Sequence, residues 1–372
     1  MRIVLWQNCL SPHQLPYIVH LLDDERIDEV VVVASETVSG VRKNMGWSVV
    51  EYEGLDKCKV YVQPHDKIIE SLFAYRQEDT QHLFSGIRAD MFVFKCLKMS
   101  LAYQLTRGII TERPNTYDFK HNIPNAKPYW LHRIRFWLQD RKYAKHISNV
   151  FAMGKEAVDY YKSLGINWNV YPFCYCTQAI PPVAKDSNQE VKLPQYLFCG
   201  SLTSWKDPFA IARGLSRIDA NNMGEVHYIG DGPLRIPLEK EILKLNLKDK
   251  IHLLGTKSQT EVPYFMQQAD IFILPSIYDG WGAVVNEALQ AGCYVICSDA
   301  AGASDLILND KRLGSVFHRG NVKQLAEAMS WCNEHIHEIR SNRHFRMQWA
   351  EVHISGKAVA KYMIDCLEKS LD

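Results

Sequence analysis

Short β-branched runs alternate with longer stretches of helical period along most of the chain, the pattern of parallel strands joined by covering helices. In the first half, RIVLW (2–6), EVVVVAS (29–35), KVYVQ (59–63), QHLFS (81–85), GIITE (108–112) and HISNVFAM (146–153) predict strands. In the second half, QYLFCG (195–200), EVHYIGD (225–231), KIHLLG (250–255), IFILPS (271–276), CYVICSD (293–299) and GSVFH (314–318) predict a second set. Between the two sets, residues 172–194 carry four prolines and no sustained period, which marks a boundary. Near the end, Val359, Tyr362, Met363, Cys366 and Leu367 fit one helical face. The pattern predicts an α/β chain of two doubly wound domains facing across a cleft: a first domain at 1–175, a linker at 176–194, a second domain at 195–345, and a helix at 346–372 crossing back to the first.

Composition narrows the classes. The chain has 372 residues, 47% of them apolar, enough for two cores. Its 43 Lys and Arg balance 42 Asp and Glu, so no global field favours nucleic acid. The opening MRIVLWQNCLSPHQ is unlike a secretory leader, and no stretch approaches the roughly 20 apolar residues that cross a bilayer. Ten scattered cysteines without a paired CxxC pattern are expected to be reduced, in a cytoplasmic protein.

The segment IFILPSIYDGWGAVVNEALQAGCYVICSDAAGASDLI (271–307) reads as strand, glycine-punctuated loop, helix and strand, with the helix over about 282–291 and Gly292 as its stop. Ligands of doubly wound sheets lie at the carboxyl ends of strands, where Ser276, Asp279, Gly280, Trp281, Gly282 and Ala283 would sit. Amides at a helix start hold phosphate or sugar oxygens, and Asp279 and Glu287, with seven residues between them, can face one ligand from two sides.

This segment resembles the retaining GT-B glycosyltransferases of group 1 (family 4 type), marked by PSxxExxGxxxxEAxAxG. Pro275, Ser276, Gly282, Glu287, Ala288 and Gly292 match; Asp279 replaces the first glutamate and Gln290 the second alanine. The resemblance implies the GT-B fold, two Rossmann-like domains with the C-terminal helices packing back on the first. It implies that Asp279 and the amides of 280–282 hold a donor sugar and that Glu287 accepts from the ribose hydroxyls. YLFCGSLTSWKDPF is similar to the family's GRLxxxKG loop for the donor diphosphate. Gly200 and Lys206 match, the family arginine falls on Ser201, and its last glycine falls on Asp207, read as a helix N-cap before Pro208. A solvated surface lysine is the other reading of Lys206. VHYIGDGPLR matches the family's IGDGP turn with Gly230, Gly232 and Pro233. It is not a dinucleotide fingerprint, because Arg235 holds the third glycine position. Gly255 and Thr256, in the loop after KIHLL, are expected to border the base.

In the first half the resemblance is one of organisation. Ser11 can cap and Pro12 can start a helix, which puts His13 in a first turn as an acceptor contact or as an idle polar residue. His82 and Glu112 stand at edges of predicted strands. By resemblance His82 contacts the transferred sugar, with a structural histidine as the alternative, and Glu112 is a further acceptor-side candidate. KPYWLHRIRFWLQDRKYAKH (127–146) mixes aromatic and basic residues, either as a peripheral helix on an anionic membrane surface or as a core helix with a solvated basic face.

The expected reaction is transfer of a sugar, with retention, from a nucleoside diphosphate donor, UDP by family frequency, to a glycan or lipid-linked acceptor in surface polysaccharide synthesis. No DxD pair occurs, so no metal or other cofactor is expected and Lys206 and helix dipoles meet the diphosphate charge. A nucleotide-sugar epimerase and a non-catalytic donor-binding subunit are the rival readings.

Overall fold

The structure, a computed structural model, describes residues 1–38, 52–180, 193–219, 223–308 and 310–370. Of the expected linker 176–194, residues 181–192 lie outside the described residues. The chain divides into two compact units: Met1–Thr116 with Lys127–Gln178 and His353–Asp372, and Tyr117–Ala126 with Ala179–Val352.

The first unit is built on a parallel sheet of β1 (Arg2–Cys9), β2 (Glu29–Glu36), β3 (Lys59–Val62), β4 (Thr80–Ser85), β5 (Thr106–Thr111), β6 (Asn149–Met153) and β7 (Asn169–Phe173). Their order is β3-β2-β1-β4-β5-β6-β7. The interior strands are buried on both faces, which is why they read as continuous apolar runs. One face packs Val4, Val31, Phe84, Ile109 and Val150 against Phe73, Leu97 and Ala157 of the covering helices. Strand β7 runs into the stretch read from residue 172 as a boundary, with its last two residues inside it. Its Pro172 lies opposite Ala152 on a sheet-edge strand, where a missing N–H costs no ladder bond.

The final helix, Gly356–Glu368, belongs to this unit, and the Ser355 hydroxyl accepts from the Ala358 amide at its start. Val359, Met363, Ile364, Cys366 and Leu367 are buried, and each fully buried aliphatic side chain contributes about 1.5–3 kcal/mol. Tyr362, expected on that face, is 39% exposed. Arg26 pairs with Asp365 and Glu368 across the same contact.

The second unit holds β8 (Gln195–Cys199), β9 (Glu225–Ile229), β10 (Ile251–Leu253), β11 (Ile271–Leu274), β12 (Tyr294–Ser298) and β13 (Gly314–Phe317), all parallel, in the order β10-β9-β8-β11-β12-β13. Tyr196, Phe198, Tyr228, Ile273 and Ile296 build its core against Ile211, Leu238 and Met329. The helix Arg343–Ile354 stays largely with this unit because two guanidinium groups bind its carbonyls. Arg343 donates to Ala269 and Ala291, and the buried Arg346 donates to Gly292, Arg312 and Ile339. The return to the first unit therefore begins at His353, not at residue 346.

All ten cysteines are free, eight of them buried. No helix among the described residues is long and apolar enough to cross a membrane.

Candidate functional site

In the second sheet the order reverses between β8 and β11, so the loops that leave their carboxyl ends diverge and open a crevice. The loop after β8 is fixed by backbone bonds: the Gly200 amide donates to Ile229, the Leu202 amide to Asp231 and the Leu234 amide to Leu202. Gly230 has φ +127°, and a Cβ there would lie 2.0 Å from the Gly200 carbonyl oxygen, so only glycine allows this approach. The Gly230 amide also donates to Gly255, tying in the loop after β10. Gly200, Ser201, Gly230, Gly232, Pro233, Gly255 and Thr256 thus stand together at the carboxyl ends of β8, β9 and β10.

The chain then makes a short 3-10 turn, Ser204–Lys206, and Asp207 takes the left-handed conformation at φ 46°. The expectation of an Asp207 N-cap is corrected: Pro208 occupies the cap of the Phe209–Leu215 helix. Asp207 stands where the family has glycine because that position needs positive φ, which aspartate tolerates better than most residues.

The amides of Ile277 and Tyr278 both donate to the Trp205 carbonyl, at 2.8 and 3.3 Å, and stitch the loop after β11 to the loop after β8. That stitch places the Lys206 ammonium on Oδ2 of Asp279 in an ion pair whose side chains are only 19% and 15% exposed. Asp279 is held from behind by its amide, which donates to Ala300, and by a bridge to Ala301. Gly282, at φ +90°, turns the chain into the helix Val284–Gln290, two residues later than the sequence pattern predicts, and Gly292 at φ +81° follows its end. Trp281 is buried and its indole N–H donates to Asn286, so this side chain braces the loop from within. The Ser276 hydroxyl is fully buried and has no hydrogen-bond partner among the described residues, while its carbonyl accepts from Ser298 at 2.5 Å.

Glu287 lies in the first turn of that helix, partly buried, and loss of hydration pushes its carboxyl up to about 7. The Cys199 thiol is pushed up to about 12 by burial and the Glu287 charge, against the opposing pull of Lys206. Lys206, Glu287 and Cys199 therefore share one electrostatic neighbourhood, with Asp279 bound to Lys206.

Two contributors are not marked by the sequence pattern. Arg235, which stands out in the sequence only as a departure from a glycine motif, pairs with Asp231 and Glu239, and its Nη1 lies 3.6 Å from the Cβ position of Gly255, beside the 230–232 turn. Residues 117–126 form a small hairpin in which Asp118 and Ile123 exchange backbone bonds, and this hairpin belongs to the second unit. The Tyr117 ring stacks on Tyr278 at 5.7 Å, and Phe119 stands edge-on to Trp205 at 5.1 Å, so aromatics cover the segments that carry Asp279 and Lys206. The alternation of Tyr117 and Phe119 is the only local signal.

In the first unit the helix begins at Leu15, not Pro12, because residues 11–14 form a turn in which the Gln14 and Leu15 amides both donate to the Ser11 carbonyl. His13 lies in that turn after β1, its ring 6.2 Å from Tyr175, and the Tyr175 hydroxyl donates to Glu112 at 2.8 Å just past β5. His13 and Glu112 are thus joined through Tyr175.

His82 does not join them, and the expected sugar contact is corrected. It stands within β4, fully buried, opposite Val4 of β1. Trp6 Nε1 donates to its Nδ1 at 3.2 Å, and its ring packs near Phe73. Burial, with Arg2 and Arg107 nearby, holds its pKa down to about 3, so it stays neutral and enclosed.

Residues 182–342 match the family model described as "Glycosyl transferases group 1". The 2-deoxystreptamine N-acetyl-D-glucosaminyltransferase of Niallia circulans is 30% identical over 115 residues, 30% of this chain and 28% of that protein. The N-acetylgalactosamine-N,N'-diacetylbacillosaminyl-diphospho-undecaprenol 4-alpha-N-acetylgalactosaminyltransferase of Campylobacter jejuni is 25% identical over 36% of this chain and 35% of its own length. The chain thus spans well under half the length of these curated relatives. In fold, Anabaena HepE, solved in complex with UDP, is similar with a TM-score of 0.69 and 15% identity over 99% of this chain and all of HepE. The lipopolysaccharide outer core galactosyltransferase WaaB is similar at 0.68 and 13% identity over 99% of both. The match over residues 182–342 and the two parallel-sheet units thus make the chain similar to the group 1 glycosyltransferases, with the GT-B fold.

Proposed function

We propose that the protein transfers a sugar, with retention and without a metal, from a UDP-sugar to a glycan or lipid-linked acceptor in surface polysaccharide synthesis. The observation that carries this reading is the Lys206–Asp279 pair at the reversal point of the second sheet, with the partly buried Glu287 beside it. A diphosphate has more charge to offer Lys206 than one carboxylate, so the bound donor takes the ammonium and frees Asp279 for the sugar hydroxyls. Glu287 accepts from the ribose hydroxyls, and the buried Ser276 hydroxyl gains a partner in the donor. Arg235 supplies a second cation near the phosphates, in the role for which Ser201 has no charge. The leaving phosphate oxygen takes the acceptor proton on the face it departs from, and the protein contributes orientation and electrostatics. UDP in HepE and the lipid-linked acceptor named for the Campylobacter jejuni relative support this assignment.

His13 and Glu112 serve the acceptor. The segment 127–146 supports work at an anionic membrane surface on the cytoplasmic side. Trp130, Leu131, Ile134, Trp137 and Leu138 are exposed there, and Arg133, Arg135, Arg141, Lys142 and Lys145 flank them.

A thermal-shift screen of UDP-, GDP- and ADP-sugars tests the donor, followed by assay of nucleotide release with and without EDTA. The expected result is stabilisation by a UDP-sugar and slow UDP release that EDTA leaves unchanged. Isomerised sugar, or saturable binding without release, overturns the transferase reading.

A further inference from the structure

A second cluster of ligating side chains lies outside the donor site. Along β9, Val226 and Tyr228 point into the core, which leaves Glu225 and His227 on the opposite face. In the parallel register His227 pairs with His252 of β10, whose neighbour Ile251 is again a core residue. Three ligand-type side chains from adjacent strands therefore share one face at the sheet edge. One ligand atom from each of Glu225, His227 and His252 lies within 4.8 Å of the others. His252 Nε2 is 3.8 Å from Glu225 Oε2, and the two imidazole rings are 5.2 Å apart at 43°.

We infer that Glu225, His227 and His252 bind one divalent transition-metal ion, zinc as the representative case, on the edge of the second sheet. Two imidazoles and a carboxylate are a recurrent zinc donor set that leaves a fourth position to water. In tetrahedral coordination at about 2.1 Å, ligand atoms stand roughly 3.4 Å apart. The present spacings close to that value by side-chain rotation, since Glu225 is exposed and both histidines are only partly buried. The ion would clamp the three-residue strand β10 to β9, three positions upstream of Gly255 and Gly230. It would stiffen the strands that carry those loops and take no part in sugar transfer.

Untagged protein stripped with a chelator and titrated with ZnCl2 against a chromophoric chelator tests this. One zinc per chain is expected, with affinity reduced at least tenfold in His227→Gln and in His252→Gln and unchanged in His337→Gln, an exposed histidine elsewhere in the unit. Zinc at saturation is also expected to raise the melting temperature by about 5 °C in the parent protein and not in His252→Gln. Because His252 is 39% exposed in its side chain, its substitution leaves the core intact. No stoichiometric binding by the parent protein, or equal binding by His252→Gln, overturns the inference.

Discussion

The Lys206 ammonium rests on Oδ2 of Asp279, a contact between the loop after β8 and the loop after β11. Each charge is thereby neutralised by the other before any donor binds. Asp279→Asn is expected to leave Lys206 free for phosphate and to raise affinity for UDP up to about fivefold, while lowering turnover of the UDP-sugar. Lys206→Ala is expected to weaken UDP binding roughly 10- to 100-fold, the value of a lost charge-assisted bond of about 1.5–3 kcal/mol. Calorimetric titration of both variants with UDP checks the opposed signs.

Glu287 is raised to about 7 by burial, so donor affinity should climb between pH 6 and 8 as its carboxylate forms to accept from the ribose. Glu287→Gln should flatten that profile. For stability the sign is reversed. A carboxyl raised in the folded state contributes stability that is full below its unfolded value near 4.3 and is lost as pH rises through about 7. Glu287→Gln is therefore expected to be the more stable protein at pH 8, by about 1 kcal/mol, in denaturant titrations.

His82→Leu separates a core residue from a sugar contact. It leaves the buried Trp6 indole N–H without its acceptor, which costs about 1–3 kcal/mol, and it should lower the melting temperature while leaving the KM for donor unchanged. A selective fall in turnover at unchanged stability would return His82 to the site.

Gly230→Ala drives a methyl group onto the Gly200 carbonyl at a positive φ, and a destabilisation above about 3 kcal/mol with loss of UDP binding is expected. The control is Gly165→Ala, where φ is +66° but no atom lies within 4 Å of the added carbon, and where about 1 kcal/mol is expected. Equal losses in the two variants would show that conformation, not close approach, sets the cost.

Replacing Trp130 and Leu138 by serine should reduce sedimentation with vesicles containing about 30 mol% of an anionic phospholipid several-fold and leave neutral vesicles unaffected. Both side chains are exposed, at 59% and 79%, so stability should hold.

The interior strands were legible because parallel strands buried on both faces write their cores as apolar runs, and the edge strands β3, β10 and β13 through short runs with β-branched or aromatic residues. β7 was hidden by Pro172, whose usual meaning as a breaker lapses at a sheet edge. The loops at the carboxyl ends of β8, β9 and β11 were legible because glycine and proline at fixed spacing leave a trace in the sequence. The Lys206–Asp279 contact was not, since the two loops are brought together by the bonds of the Ile277 and Tyr278 amides to the Trp205 carbonyl, and backbone bonds between distant loops carry no side-chain signature. His82 misled because its strand has polar Gln81 on one side and Leu83 on the other, an edge-like pattern, although all three are buried. The hairpin at 117–126 has no period, and its role depends on Tyr278 and Trp205, far along the chain.

The chain's route sets a rule for dissecting the protein. Severing it in the prolines after residue 178 would strip the first fragment of its closing helix, leaving the apolar partners of Val359, Met363 and Leu367 wet and Arg26 without Asp365 and Glu368. The other fragment would lose the aromatic cover of the segments that carry Lys206 and Asp279, which is encoded some sixty positions upstream of the cut. Neither half should be soluble when expressed alone, whereas co-expressing them as overlapping pieces should restore both.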